Sequence, residues 1–301
     1  MFDDDSRWSS DPRERDDDTR DRERLDPRDV FVDDLNLPRG HEREFVHDLA
    51  REYRLRGSES RTLSLVGSFR VVSSRDLKDH DGRALDTRHG DLRHLREQGL
   101  VRTIPIDGRR DVAVVLTDRG RHLLESHRKG RYQDDRRDRS RESRQQFYAD
   151  LKKPREMEHD AQIFRAYERE AERLRERGAH VERVLLDYEL KREYQQFLQE
   201  HNKGRPESDG RPDRDESEIR DWAYEHDLPY FDGHVHFPDA RIEYLDREGR
   251  MDHLDIEVLT VHYRGAHGAA AGRSGFSTFG GSSARTGGAP FDPDVAARLW
   301  R

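Results

Sequence analysis

Cysteine is missing from all 301 residues, which removes disulfide frameworks, thiolate metal centres and cysteine nucleophiles together. Any metal would have to be held by Asp, Glu or His. Apolar residues are scarce: 31% of the chain is hydrophobic and 8% aromatic. Ordinary globular domains are nearer half apolar, so this chain cannot bury its whole length in packed cores, and part of it reads as solvated tail or linker. Long apolar runs are absent as well. VAVVL at 112–116 is among the longest, far short of the roughly 20 residues a spanning helix needs. The opening MFDDDSRWSSD lacks the basic and apolar blocks of a signal peptide. The expectation is a soluble, cytoplasmic protein without a membrane partner.

Charge, in contrast, is abundant at 41% of residues. The net value of -8 hides its distribution. Residues 1–60 carry 12 basic against 19 acidic side chains, residues 61–155 carry 24 against 15, and residues 156–301 carry 21 against 31. A middle third at +9 between flanks of -7 and -10 can still attract phosphate, because screening confines the field to about 8–10 Å.

Composition also divides the chain. Residues 1–38 alternate Asp and Arg with little that is apolar and read as a disordered charged tail. Residues 129–151, with KGRYQDDRRDRSRESR at their start, read as a charged linker between an apolar region at 39–128 and another at 152–264. The stretch 265–301 opens on a Gly/Ser/Ala tract that reads as a flexible tail unless a partner orders it.

In the first region, Glu42 to Arg56 places Phe45, Val46, Leu49, Ala50, Tyr53 and Leu55 at helical spacing. Thr62 to about Val72 gives a second helix, and Ser73-Ser74-Arg75-Asp76 spells a capping box that should start a short third one. Asp86-Thr87 offers another cap before Arg88 to Gln98, with Leu92 and Leu95 inward and Gly99 as the stop. Two strands, 100–106 and 111–116, follow around a turn at Asp107-Gly108, and Thr117 starts a last helix. With LRHLREQGLV, the basic hairpin and VLTDRGRHLL, this region resembles winged helix-turn-helix DNA-binding domains. In that fold one helix enters the major groove of duplex DNA while the wing touches the backbone or minor groove. The resemblance implies DNA contacts from Arg88, His89, Arg93, His94 and Arg96, and from Arg109 and Arg110 at the wing tip. Arginine forks suit guanine edges and phosphates.

In the second region, Glu158 to Arg177 reads as a helix, Val181 to Leu190 as a strand, Lys191 to His201 as a helix, and Ser217 as the cap of a helix reaching His226. Gly233 to Tyr244 and His253 to Thr260 should be strands paired around DREGR. Alternation puts Asp255 and Glu257 on one face, opposite Leu254, Ile256 and Val258. Carboxylates on a largely apolar strand call for a partner or a cation. With Asp239 on the neighbouring strand they would supply three hard oxygen ligands for Mg²⁺ or Mn²⁺, able to polarise a phosphodiester. The other reading is a surface hairpin with solvated acids.

Pro238-Asp239 followed by Asp255-Ile256-Glu257 is similar to the PD-(D/E)xK nuclease core, with Glu257 standing where that family has lysine and Glu189 available as an upstream acid. A resemblance over residues 40–265 joins the winged helix, Lys153-Pro154-Glu156-His159-Asp160, the PDA strand and the DIEV strand, and it points to the replication-relaxation family. That family includes mobilisation proteins of the MobC relaxase type. The resemblance implies an α+β chain, a winged helix followed by a restriction-endonuclease-like domain, working on plasmid or mobile-element DNA. A metal-bound water or the Tyr263 hydroxyl would then cleave a strand, with transfer proteins or a second copy as further partners. His234-Val235-His236, with Tyr188 and Tyr194 upstream, also spells the histidine pair of HUH endonucleases, and His262 and Arg264 beside Tyr263 could orient a phosphate. Two readings from other classes stay open. One is a transcriptional regulator whose second domain dimerises or senses a ligand, and the other is a structural adaptor.

Overall fold

The computed structural model describes residues 26–48, 51–79, 81–106, 111–129, 144–150, 156–202, 214–259 and 273–280. Helices and strands are mixed throughout, an α+β arrangement.

Residues 42–56 do not form a helix; Glu44–Asp48 (β1) and Arg51–Leu55 (β2) pair as an antiparallel hairpin, with Phe45 opposite Arg54 and Val46 opposite Tyr53. The same apolar residues also fit a period of two: Val46, Tyr53 and Leu55 point into the core while Phe45, His47, Glu52 and Arg54 face outward. A segment this short satisfies either period, and the core beneath it selects the strand.

Gly57–Ser68 (α1) follows, its first turn closed by the Glu59 carboxylate accepting from the Arg56 N–H at 3.0 Å. Val72–Ser73 (β3) comes next, and no helix starts at Ser73. The capping partners are engaged elsewhere. The Ser73 hydroxyl donates to Asp111 at 2.7 Å and Asp76 takes Arg165 at 2.6 Å, so the chain turns instead of coiling. Gly90–Glu97 (α2), Val101–Pro105 (β4), Val112–Leu116 (β5) and Asp118–Ser126 (α3) appear close to where the periodicity puts them. Strands β3, β5 and β4 form an antiparallel sheet in that order.

Thr117 caps α3 by accepting the Gly120 N–H at 3.1 Å. A Cβ on Gly120 would collide with the Leu100 carbonyl and the Leu116 side chain. Gly120→Ala should therefore lower stability by about 1–3 kcal/mol through overpacking, read as a lower urea midpoint at unchanged slope.

The second half is built on a four-stranded sheet in the order β11-β10-β9-β6. Its elements are Met157–Glu176 (α4), His180–Leu186 (β6), Asp187–Gln199 (α5), Glu216–Glu225 (α6), the ribbon Tyr230–Phe231 (β7) with His234–Val235 (β8), then Ala240–Leu245 (β9), Met251–Leu259 (β10) and Ser277–Gly280 (β11). Strands β9 and β10 form the expected hairpin, with Asp255 opposite Arg241, and β11 runs parallel to β10.

Four boundaries differ from the sequence expectation. DYEL belongs to α5, not to the strand before it, because Glu189 reaches back to the Leu186 N–H and starts the helix. The segment 233–244 is not one strand: His234-Val235 pair with β7, and β9 starts only after Pro238. The cap of α6 is Asp215, accepting from the Glu218 N–H at 2.9 Å, in place of Ser217. The Gly/Ser tract supplies β11, with Phe279 beneath the Arg169 guanidinium.

One hydrophobic core runs through both halves. Phe31, Phe69, Phe164 and Tyr167 pack edge to face or tilted at centroid distances of 4.8–6.2 Å. Residues 144–150 strap the halves together. Phe147 is buried, Tyr148 donates its N–H to the Gly67 carbonyl of α1, and the Gln145 amide exchanges two hydrogen bonds of 2.9 Å with Val184. Gln145 thereby occupies the free edge of β6 as a strand residue would.

Candidate nucleic-acid interface and carboxylate sites

Helix α2 is amphipathic in a strict sense. Leu92 and Leu95 are 1% and 0% exposed, and Gly99, at φ +71, ends the helix in the left-handed region. Arg88, His89, Arg93 and Arg96 lie on the solvent side. His89 Nδ1 stands 3.0 Å from Asp86, and Arg93 pairs with Glu97 at 2.6 Å. Arg88 and Arg96 form no ion pair among the described residues.

His94 behaves differently from its neighbours. It turns inward, with Nδ1 2.8 Å from the fully buried Glu59 carboxylate, which Arg43 also holds at 2.7 Å. It braces α2 against α1, and of the five α2-region residues expected to meet DNA it is the one turned away from solvent. Asp91 does similar work at the start of the helix, paired with Arg56. Arg109 and Arg110, expected at the wing tip between β4 and β5, lie outside the described residues, as does Tyr263.

Asp255 and Glu257 lie on β10 and Asp239 in the bend that enters β9, and Asp239 and Asp255 take different partners. Ile256 and Val258 enter the core beneath α4, so Asp255 and Glu257 alternate to the opposite face. There Asp255 receives both arms of Arg241, at 2.7 and 2.9 Å, and the guanidinium also donates to the carbonyls of His226 and Asp227. The pair is almost dry, with side-chain exposures of 8% and 9%. Asp239 instead accepts the Val258 N–H at 2.8 Å and meets His159 Nε2 of α4 at 3.3 Å. Glu257 is buried. Among the described residues, no three acidic or histidine side chains converge as a ligand set. With both Asp255 oxygens committed to Arg241, the trio does not fit a resident Mg²⁺ or Mn²⁺.

The sequence singled out neither Arg241 nor the part His159 plays. His159 lies between Asp160, at 3.7 Å, and Asp239. Burial opposes its charge, but the hydrogen bonds it donates to the two carboxylates prevail and raise its pKa from 6.5 to about 10. It is an imidazolium that ties the start of α4 to the entrance of β9. The HD dipeptide was visible in the sequence; only the sheet brings Asp239 to it.

Glu189 is no ligand in waiting. It is buried, accepts the Tyr148 hydroxyl at 2.5 Å, and is pushed up to about 7 from 4.5 by desolvation. A carboxyl raised in the folded state keeps its proton there while the unfolded chain loses it. Stability from this group is therefore full below about pH 4.5 and lost as pH rises through 7. Glu189→Gln should flatten that decline. Across this window the wild type is expected to lose about 3 kcal/mol more than the variant, at about 1.4 kcal/mol per unit, in urea melts at several pH values.

His234 and His236 do not share a ligand geometry. His234 is exposed, with Nδ1 2.6 Å from the Asp232 carbonyl, while His236 stacks on Phe231 at 3.6 Å. Of the two upstream tyrosines, Tyr188 is exposed beside Tyr148, and Tyr194 packs on Trp222 and Phe237.

Among the described residues no helix is long and apolar enough to cross a membrane. No family model, curated protein or solved structure matches this chain.

Proposed function

We propose that this protein binds duplex DNA through α2 and the β4–β5 hairpin, in the manner of a winged helix. The single observation that carries this reading is the solvent face of α2 and the turn before it, where Arg93 and Arg96, with Arg88 ahead of them, stand out above a helix anchored by buried leucines. The surrounding order supports it: helix α1, strand β3, helix α2, strands β4 and β5, helix α3, with β5 between the other two strands. A winged helix has this order with one more helix ahead of the groove-reading one. Here that helix is replaced by the turn after Ser73, and the bridge between Lys78 and Ala84 shapes the approach to α2 instead.

The second half serves this reading as a nuclease-like scaffold whose acids hold the fold together, a non-enzymatic role favoured by the closed Arg241–Asp255 pair. The replication-relaxation resemblance adds plasmid or mobile-element DNA as the substrate class.

The test is equilibrium binding of a labelled duplex across a range of salt. Affinity should fall linearly on logarithmic axes, with a slope near the number of phosphates neutralised. Salt-independent binding, or none at low salt, would overturn the proposal. Supercoiled plasmid incubated with Mg²⁺ or Mn²⁺ should stay intact. Nicking that disappears in Asp239→Ala with Glu257→Ala would return the protein to the strand-cleaving enzymes.

A further inference from the structure

The β1–β2 hairpin, hidden from the sequence because its residues also fit a helix, lies directly against the end of α2. Gln98, which caps that helix, grips the backbone of Arg54 at both ends: its carbonyl accepts the Arg54 N–H at 2.8 Å and its amide donates to the Arg54 carbonyl at 3.0 Å. Those backbone groups therefore point away from β1, which makes Phe45 and Arg54 a non-hydrogen-bonded pair, the kind whose side chains stand closest. Arg43, the residue just before β1, grips the same Glu59 that holds His94. These bonds join the hairpin and α2 into one continuous surface.

On its outward side Phe45 is 58% exposed. The Arg54 guanidinium lies over its ring at 5.1 Å, beside His47 and Glu52. Among the described residues Phe45 is the one large apolar side chain exposed on this hairpin, and an aromatic ring standing singly with a cation across it does not resemble a protein-docking face, which needs contiguous apolar area. A flat ring with an arginine suits a flat, π-rich partner carrying negative charge. We infer that Phe45 and Arg54 form a stacking platform for an unpaired base of DNA, so that the preferred ligand is a duplex with a single-stranded flank emerging past the end of α2. This deepens the duplex-binding reading and rests on it.

The full chain is titrated with a blunt duplex and with the same duplex carrying a single-stranded thymidine extension. The extension should raise affinity about tenfold, a typical gain from stacking one base on an aromatic side chain. Phe45→Ala should erase that gain and leave blunt-duplex binding unchanged, whereas Phe45→Trp should retain it. Phe45 lies outside the buried core, so the alanine variant keeps its fold, which circular dichroism verifies. An extension that adds nothing, or a gain that survives Phe45→Ala, overturns the platform. Loss of blunt-duplex binding is a separate readout, reported by Arg93→Glu with Arg96→Glu. If those substitutions change nothing while Phe45→Ala still removes the extension's benefit, α2 is the part of the account that fails and the platform stands.

Discussion

Arg93→Glu combined with Arg96→Glu is expected to weaken binding to duplex DNA by at least about 100-fold at moderate salt, and to flatten the salt dependence by about one unit of slope for each phosphate that is no longer neutralised. Both side chains are exposed on the solvent face of α2, one paired only with Glu97 at 2.6 Å and the other with no ion pair among the described residues. Reversal therefore replaces attraction by repulsion where the backbone of a duplex would lie. The cost to the fold is small. A solvent-exposed pair such as Arg93–Glu97 contributes little, and a like-charge pair at that spacing costs about as much again. Leu92 and Leu95 keep the helix seated. Fluorescence anisotropy with a duplex measures the first effect and a urea melt bounds the second. Binding that survives both substitutions would exclude α2 as the DNA-binding element.

The other large effect concerns stability. Arg241→Ala or Asp255→Ala alone should cost about 3–5 kcal/mol, because each leaves a buried charge without its partner. Arg241→Ala also strips the hydrogen bonds from the carbonyls of His226 and Asp227. Set against a typical net stability of about 5–15 kcal/mol, the loss would bring the chain close to unfolding at growth temperature. Arg241→Met with Asp255→Leu should recover most of it, since an apolar pair of similar volume needs no compensating charge. Urea denaturation of the two single variants and the double gives the coupling directly. A metal ligand would behave in the opposite sense: relieving carboxylate crowding costs no stability, so an Asp255→Ala variant as stable as wild type would reopen the three-carboxylate site.

Much of the architecture is legible in the sequence because burial leaves a period. Leu92 and Leu95 below a row of arginines, Gly99 as the stop, the VAVVL strand and the cap at Thr117 need nothing beyond local chemistry, and α4 with its Phe164 and Tyr167 stripe is equally plain. Segments satisfying two periods are not legible. Glu42 to Arg56 has an apolar pattern that serves a helix or a hairpin, and the core under Val46 and Tyr53 decides between them. Ser73 misleads as a helix cap for a related reason: its hydroxyl has a distant competitor in Asp111, invisible within a four-residue window.

The candidate sites divide along the same line. By itself the amino-acid order determined which stretches are apolar, where charge of each sign accumulates, and that a basic helix and two acid-bearing strands exist, since these depend only on neighbours within a turn or two. Only the tertiary structure decided what each charge touches. It turned His94 inward to Glu59, closed Asp255 on Arg241, drew Asp239 to His159 and laid the hairpin against Gln98. The physical reason is that an ion pair or hydrogen bond is set by separation in space. Glu59 and His94, or His159 and Asp239, lie far apart along the chain and reach that separation only when distant segments pack.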